Sequence, residues 1–214
     1  MKRPRILLAD DHAIVIEGLR RLLGADFDLV GVARNGLEMV ELGKTHAPDL
    51  VVADVSMPLV NGIDALRRLR REGCTARVVF LTMHPDATFA TRALEAGASG
   101  YVLKHAASDE LVEAIREALA GRTFVSPALR GGAVEDHIAR GEGQSGKSVE
   151  LTPRQREVLQ LLAEGRSARE IGLILGISPR TAETHKYKMM DDLGLETTAE
   201  LVRYAIRHGL VGTQ

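Results

Sequence analysis

Five times between Ile6 and Leu119 a short, unbroken apolar run is followed by a longer segment whose apolar residues recur every three or four positions. The runs are Ile6 to Ala9, Leu29 to Ala33, Leu50 to Ala53, Val78 to Leu81 and Tyr101 to Leu103. The helical segments pass through Ile14, Val15, Leu19, Leu22 and Leu23; Leu37 to Leu42; Ile63 to Leu69; Ala87 to Leu94; and Leu111, Val112, Ile115 and Leu119. A strand that reads as continuously apolar is buried on both faces, and parallel strands need crossover helices to join them. The rhythm therefore predicts an α/β, doubly wound, five-stranded parallel sheet of the flavodoxin-like kind, with helices on both sides. Functional groups in such a sheet gather at the C-terminal ends of the strands.

The rhythm stops after Val125. Ser126-Pro127 offers a weak helix start, and Gly131, Gly132, Gly141, Gly143 and Gly146 then break a stretch of small and polar residues that has linker composition. Order returns at Thr152-Pro153-Arg154-Gln155, where the threonine can cap a helix, the proline fits its first turn and the glutamine completes a capping box. Val158, Leu159, Leu161 and Leu162 supply that helix with an apolar face. A second box, Ser167 to Glu170, opens a short helix that stops at Gly176, and Ser178-Pro179 opens the next. Two short helices joined by Gly176-Ile177-Ser178 have the form of a helix-turn-helix, since the glycine permits the tight reversal. A fourth helix is expected over Thr198 to His208, giving an all-α four-helix unit. A length of 214 residues suits two compact units. The expected division is 1–125, a linker 126–149 and 150–214.

Charge and cysteine content narrow the function classes. A formal net charge of −1 excludes a uniformly basic nucleic-acid binder but not a local basic face. The single cysteine, Cys74, excludes an intramolecular disulfide framework and a cysteine-rich zinc module, and points to a reducing, cytoplasmic setting. The start runs directly into Ile6 to Ala9, too short and too soon punctuated by Asp10 for a signal peptide, and no apolar stretch has the length of a membrane span. The seven histidines lack i, i+4 pairing and CxxC neighbours, and read as ordinary surface or helix residues.

Three carboxylates fall at strand ends: Asp10 and Asp11 after the first run, and Asp54 after the third. Taken singly, the first two could cap the helix near Ala13 and the last could be a solvated strand terminus. In a doubly wound sheet, however, the two strands can lie side by side, so the three groups would share one pocket. Like charges so close repel and raise one another's pKa unless a cation sits among them. Mg2+ suits such a pocket, because it takes carboxylates, a backbone carbonyl and waters and leaves room for a phosphoryl oxygen. Thr82 ends the fourth run with a hydroxyl and Lys104 the fifth with a cation, and the two could neutralise the charge that spreads over phosphoryl oxygens during transfer.

Leu8 to His12, Asp54 to Pro58, Leu81 to His84 and Gly100 to Lys104 together resemble the motifs of a response-regulator receiver domain. With the C-terminal helices, nearly the whole chain outside the linker resembles the NarL/FixJ family, which carries a LuxR-type helix-turn-helix. The resemblance implies a two-component transcriptional regulator whose phosphoacceptor is Asp54. It makes Asp11 and the Ser56 carbonyl further Mg2+ ligands, with Asp10 acting mainly through a metal-bound water. Thr82 and Lys104 would bind phosphoryl oxygens, and Tyr101 would be an aromatic switch that follows Thr82. Met83 and His84 sit where family members tune the access of water to the aspartyl phosphate. A sensor histidine kinase is the implied phosphodonor, double-stranded DNA the target, RNA polymerase a further partner, and a homodimer the phosphorylated form. Apart from its own phosphorylation and dephosphorylation, no enzyme activity is implied.

By the same resemblance, Ser178 to Leu193 is the recognition helix. Arg180, Lys186 and Lys188 suit phosphates near a helix N-terminus, which fix register and supply salt-dependent affinity, and Thr181 is a further DNA-contacting residue. Glu183, Thr184 and Tyr187 hold the family's base-reading positions; glutamate can accept from a cytosine amino group and threonine can touch a thymine methyl. Members with lysines at those sites differ here, so their target preference does not transfer. The segment from Glu150 is close to charge-neutral, which makes affinity depend on a dimer; the last helix would pair two copies, its alternative being simple packing against Val158 and Leu162. The alternative is a helix-turn-helix that binds only protein.

One motif points elsewhere. Gly141 to Ser148 satisfies the Walker A pattern, and Leu50 to Asp54 could pass as a Walker B strand, so a P-loop NTPase is the rival function. A phosphate loop needs a strand before it and a helix after it. Glu135 to Arg140 has no strand character, and Pro153 restricts a helix running from Lys147. The linker reading is preferred.

Overall fold

A computed structural model describes residues 3–83, 85–105, 108–129, 151–208 and 210–211. The Walker-like octapeptide at 141–148, the glycine-broken stretch at 130–149 and His84 lie outside those residues. The first part alternates β1 (Arg5–Ala9), α1 (Ala13–Leu23), β2 (Asp28–Ala33), α2 (Gly36–His46), β3 (Leu50–Ala53), α3 (Gly62–Arg71), β4 (Arg77–Thr82), α4 (Ala87–Glu95), β5 (Gly100–Leu103) and α5 (Ser108–Leu119). All strands pair in parallel, in the order β2-β1-β3-β4-β5-β6.

A sixth strand, β6 (Phe124–Val125), extends the expected five by pairing with Gly100 and Tyr101. Two residues are too few to show a period, so it left no pattern to read. The weak helix start at Ser126 becomes one 3-10 turn, Pro127–Leu129.

Each strand divides its side chains between two cores, which is why the runs read as unbroken. Leu7, Val51, Val78, Phe80 and Tyr101 face one side, with Met39 of α2, Leu66 and Leu69 of α3 and Phe89 of α4. Ile6, Leu8, Leu50, Val52, Val79 and Val102 face the other, with Ile16, Leu19 and Leu23 of α1 and Leu111 and Ile115 of α5. Each fully buried leucine or isoleucine contributes about 1.5–3 kcal/mol.

The second part packs α6 (Pro153–Ala163), α7 (Ala168–Leu175), α8 (Pro179–Leu193) and α9 (Thr198–Arg207) around Val158, Leu159, Leu161, Ile171, Ala182, Met189, Leu201 and Ala205. Both expected capping boxes form, at Thr152 with Gln155 and at Ser167 with Glu170. A third, Thr197 with Glu200, opens α9. A side-chain cap is worth about 1 kcal/mol, so three boxes weigh heavily in so small a core. Gly176 has φ +66, the left-handed value the reversal between α7 and α8 requires.

Candidate functional site

Strand register assembles the pocket. Ala9 lies opposite Ala53, and the Asp54 N–H donates to the Ala9 carbonyl at 2.8 Å, so Asp10 and Asp54 leave adjacent strands together. Asp10 is 2 % and Asp54 5 % exposed. Lys104, just past β5, donates through Nζ to Asp10 Oδ2 at 2.7 Å and to Asp54 Oδ2 at 2.6 Å. Its own N–H donates to the Thr82 carbonyl at 2.8 Å, which brings the end of β4 to the same edge. The Ser56 N–H donates to Asp54 Oδ1 at 3.2 Å. The structure thus gathers five groups at one edge: Asp10, Asp11, Asp54, Thr82 and Lys104.

The chain reaches this geometry through Gly62. A Cβ there would lie 2.2 Å from the Asp54 carbonyl oxygen, so only glycine lets α3 start this close behind β3.

One lysine faces three carboxylates. Burial pushes the Asp54 carboxyl up, against the attraction of Lys104 and with the repulsion of Asp10. Burial alone would lower Lys104, but Asp54 and Asp10 together outweigh it and hold the ammonium above its ordinary value.

The donor set fits a hard divalent cation. Asp10, Asp11, His12 and Asp54 each offer an atom within 4.8 Å of the others. Asp11 Oδ1 is buried and accepts no hydrogen bond, although His12 Nδ1 lies 3.0 Å away. A buried carboxylate oxygen that accepts no hydrogen bond, beside two further carboxylates, is what Mg2+ would satisfy. His12 is the group that sequence reasoning missed: its Nδ1 is also 3.1 Å from Asp10 Oδ1, and its N–H donates to the same oxygen at 2.8 Å. Its direct attachment to the Asp10-Asp11 pair was the signal available.

Thr82 and Tyr101 are both 0 % exposed, and their side chains share a hydrogen bond. Burial raises the tyrosine pKa, with the Thr82 bond acting in the opposite direction. Met83, by contrast, is exposed.

On α8, Arg180, Thr181, Thr184, Tyr187 and Lys188 are exposed, and Glu183 and Lys186 half-buried. Ser178 caps the helix by accepting from the Thr181 N–H, and the Ser178 and Thr181 hydroxyls lie 2.8 Å apart. The Thr184 hydroxyl donates to the Arg180 carbonyl, which leaves its methyl as the free part of the side chain. Lys186 pairs with Glu183 one turn back, and its ammonium lies 4.5 Å from the centre of the Tyr187 ring. Two of the expected DNA-contacting groups are therefore tied to each other. The C-terminal end of α8 carries Asp191 and Asp192, both exposed.

The two parts meet along α3 and α6. Asp64 accepts from Arg67 on its own helix at 3.1 Å and from Arg156 of α6 at 2.9 Å. Glu157 accepts from Arg154 on its own helix at 2.9 Å and from Arg68 of α3 at 2.9 Å. Each buried carboxylate thus holds one arginine from either side. Farther along α6, Gln160 and Glu164 bond to the turn between β3 and α3, and Leu59 of that turn packs against the helical core. Leu59 has φ +67, a left-handed conformation that costs a leucine about 1–2 kcal/mol. A separate contact joins Arg92 of α4 to His208, through its carbonyl at 3.3 Å and Nδ1 at 3.4 Å. A cavity of about 780 Å3 opens between the parts, lined by Asp11, Asp54 and Lys104 on one side and Gln160, Glu164 and Arg166 on the other.

Residues 6–116 match the family model of the response regulator receiver domain, and residues 149–205 that of the luxR family of bacterial regulatory proteins. The chain is 39 % identical to the transcriptional regulatory protein MctR of Rhizobium johnstonii, over 97 % of this chain and 95 % of that protein. Among solved structures, a LuxR-family two-component response regulator from an Aurantimonas species is 41 % identical with a TM-score of 0.58, covering 64 % of this chain and 96 % of its own. A structure of two RcsB dimers bound to two parallel DNAs is 25 % identical with a TM-score of 0.56, covering 95 % of this chain and 98 % of its own.

Proposed function

We propose that this chain, which belongs to the two-component response regulators that join a receiver domain to a LuxR-type helix-turn-helix, is switched by phosphorylation of Asp54. It is a DNA-binding transcriptional regulator by family. The observation that carries the proposal is the shared grip of Lys104 on Asp10 and Asp54, in a pocket that holds more negative charge than its one lysine balances.

An Asp54 carboxylate oxygen attacks the phosphorus of a phosphohistidine on a sensor histidine kinase, or of a small acyl phosphate. The bond from phosphorus to the donor breaks, and the donor leaves with its electron pair. Asp10, Asp11, the Asp54 carboxylate and the Ser56 carbonyl would hold Mg2+, which supplies neutralising charge for the phosphoryl oxygens. Lys104 orients and neutralises from the other side, and Thr82 moves its hydroxyl to the new group. Tyr101, bonded to Thr82, follows that movement and carries it to the α4 and β5 face. The phosphoryl group biases states already open to the chain, toward a homodimer on DNA.

On α8, Arg180, Thr181, Lys186 and Lys188 meet phosphates, and Glu183, Thr184 and Tyr187 meet bases. The receiver spans 1–125, the linker 126–149 and the DNA-binding domain 150–214. RNA polymerase is the onward partner, and the cytoplasm, where the DNA lies, is the place of action. The protein's only chemistry is on its own aspartate. Acetyl phosphate with Mg2+ adds one phosphoryl mass to the wild type and none to Asp54→Asn; an equal gain in both, or none in the wild type, would refute the assignment.

A further inference from the structure

A side chain of the DNA-binding domain is built into the turn that follows the receiver's Asp54. Gln160 of α6 is 1 % exposed. Its Nε2 donates to the Met57 carbonyl at 2.8 Å, and its Oε1 accepts from the Asn61 N–H at 2.8 Å. Those two backbone groups bracket Pro58, Leu59 and Val60. The turn is in turn fixed to the acceptor. It begins one residue after Ser56, whose N–H holds Asp54 Oδ1, and ends one residue before Gly62, whose N–H donates to the Val55 carbonyl at 2.8 Å.

Within the turn, Leu59 holds its left-handed conformation, and its N–H donates to Glu164 at 3.1 Å. Strained backbone of this kind persists only where its surroundings over-determine it. Here the turn's own bond from the Val60 N–H to the Pro58 carbonyl at 2.8 Å is joined by Gln160 and by Glu164 at the helix end, both from the other domain.

We propose that Gln160 is a positioning residue for phosphorylation. It holds the Met57 to Asn61 turn so that Ser56 and Asp54 keep the arrangement phosphoryl transfer uses, and it makes the reactivity of Asp54 depend on the docking of the DNA-binding domain. The inference rests on Asp54 being the acceptor. A positioned reaction is sensitive to such support, since a misplacement of about 1 Å can cost a hundredfold in rate.

The test measures the initial rate of phosphorylation of the full-length protein by acetyl phosphate and Mg2+. Gln160→Met keeps the volume and removes the bonds to Met57 and Asn61 together with the one to Glu164, and it slows the rate by about fivefold or more, the equivalent of one net hydrogen bond. Adding Leu59→Gly to that variant recovers most of the loss, because glycine holds the left-handed turn without help. Arg92→Ala, which cuts a separate interdomain contact and leaves the turn alone, stays within about twofold of the wild type, well below the fivefold effect of losing a hydrogen bond. Should Gln160→Met melt early, the rates are compared at a temperature at which its circular dichroism matches that of the wild type. A wild-type rate in the Gln160 variant, a loss that Leu59→Gly does not recover, or an equal loss in Arg92→Ala overturns the inference. A wild type that takes up no phosphoryl group on Asp54 removes its premise instead, and that outcome is told apart by the Asp54→Asn control.

Discussion

The pocket around Asp54 and the outer face of α8 are both made of charged side chains, held in opposite ways. In the receiver, three carboxylates and one lysine are drawn into the end of a sheet, with Asp10 and Asp54 almost wholly buried and the charge unbalanced. On α8 Arg180 and Lys188 stay at the surface, and the half-buried Lys186 is balanced by its own neighbour, Glu183. A surplus of buried like charge is costly and is relieved by a ligand, so it makes a good sensor. Surface charge costs little and is screened by salt, so it makes a reader whose grip can be tuned without refolding. The contrast predicts large, structure-wide effects in the first region and small, additive ones in the second.

The strongest way to break the comparison is Lys104→Met. Removing the lysine leaves Asp10 and Asp54 facing each other without a cation, and the variant is expected to lose about 3–5 kcal/mol in urea unfolding. Millimolar Mg2+ restores a large part of that loss, while the wild type gains less. Equal sensitivity of both proteins to Mg2+ would show that the pocket is not short of positive charge.

A smaller effect is expected on α8. Arg180→Ala and Lys188→Ala each lower the slope of log affinity for DNA against log salt by about 0.9, the value for one phosphate contact. Lys186→Ala lowers it by less, since its charge is already engaged by Glu183. Three equal decrements would mean that the pair opens on DNA, and no decrement at all would misplace the helix.

The smallest effect concerns His208. Burial lowers its pKa below the ordinary histidine value, helped by the charges of Arg92 and Arg207. The folded protein therefore binds fewer protons at this site than the unfolded chain, so the contact's stability is full above about pH 6.5 and fades as the pH falls through the lowered pKa. Thermal melting at mildly acid pH is expected to drop more in the wild type than in His208→Gln. Parallel curves would remove His208 from the pH response.

The same contrast explains what could be read in advance. The sheet was legible because strands buried on both faces leave unbroken apolar runs, and the pocket because its members all sit at strand ends. Neither signal depends on the distant partner being known. His12 was not legible by that logic, since its role comes from the bend of the chain after Asp10 rather than from spacing. The domain contact was hidden for another reason. Glu157, Gln160 and Glu164 form a polar stripe on α6 that reads as a solvated face, and only the arrival of residues about a hundred positions away buries it. A polar stripe at positions i, i+3 and i+7 carries the same pattern whether water or another domain covers it. The pairing of Lys186 with Glu183 was within reach of sequence reasoning, because residues three apart on a helix are neighbours.

The strand order has a consequence in time. β1 lies between β2 and β3, so the first three strands to be synthesised can form a contiguous half-sheet on their own. That half-sheet already brings Asp10 and Asp54 together, while Lys104 follows Asp54 by 50 residues. At ribosomal speeds the lysine arrives roughly 3–10 s later. Until then any such half-sheet has its two carboxylates without the lysine that pairs them in the finished fold. Completion of β5 then hands the pair over to the chain's own ammonium group, so the last long strand locks in place a meeting that the first strands had to hold open.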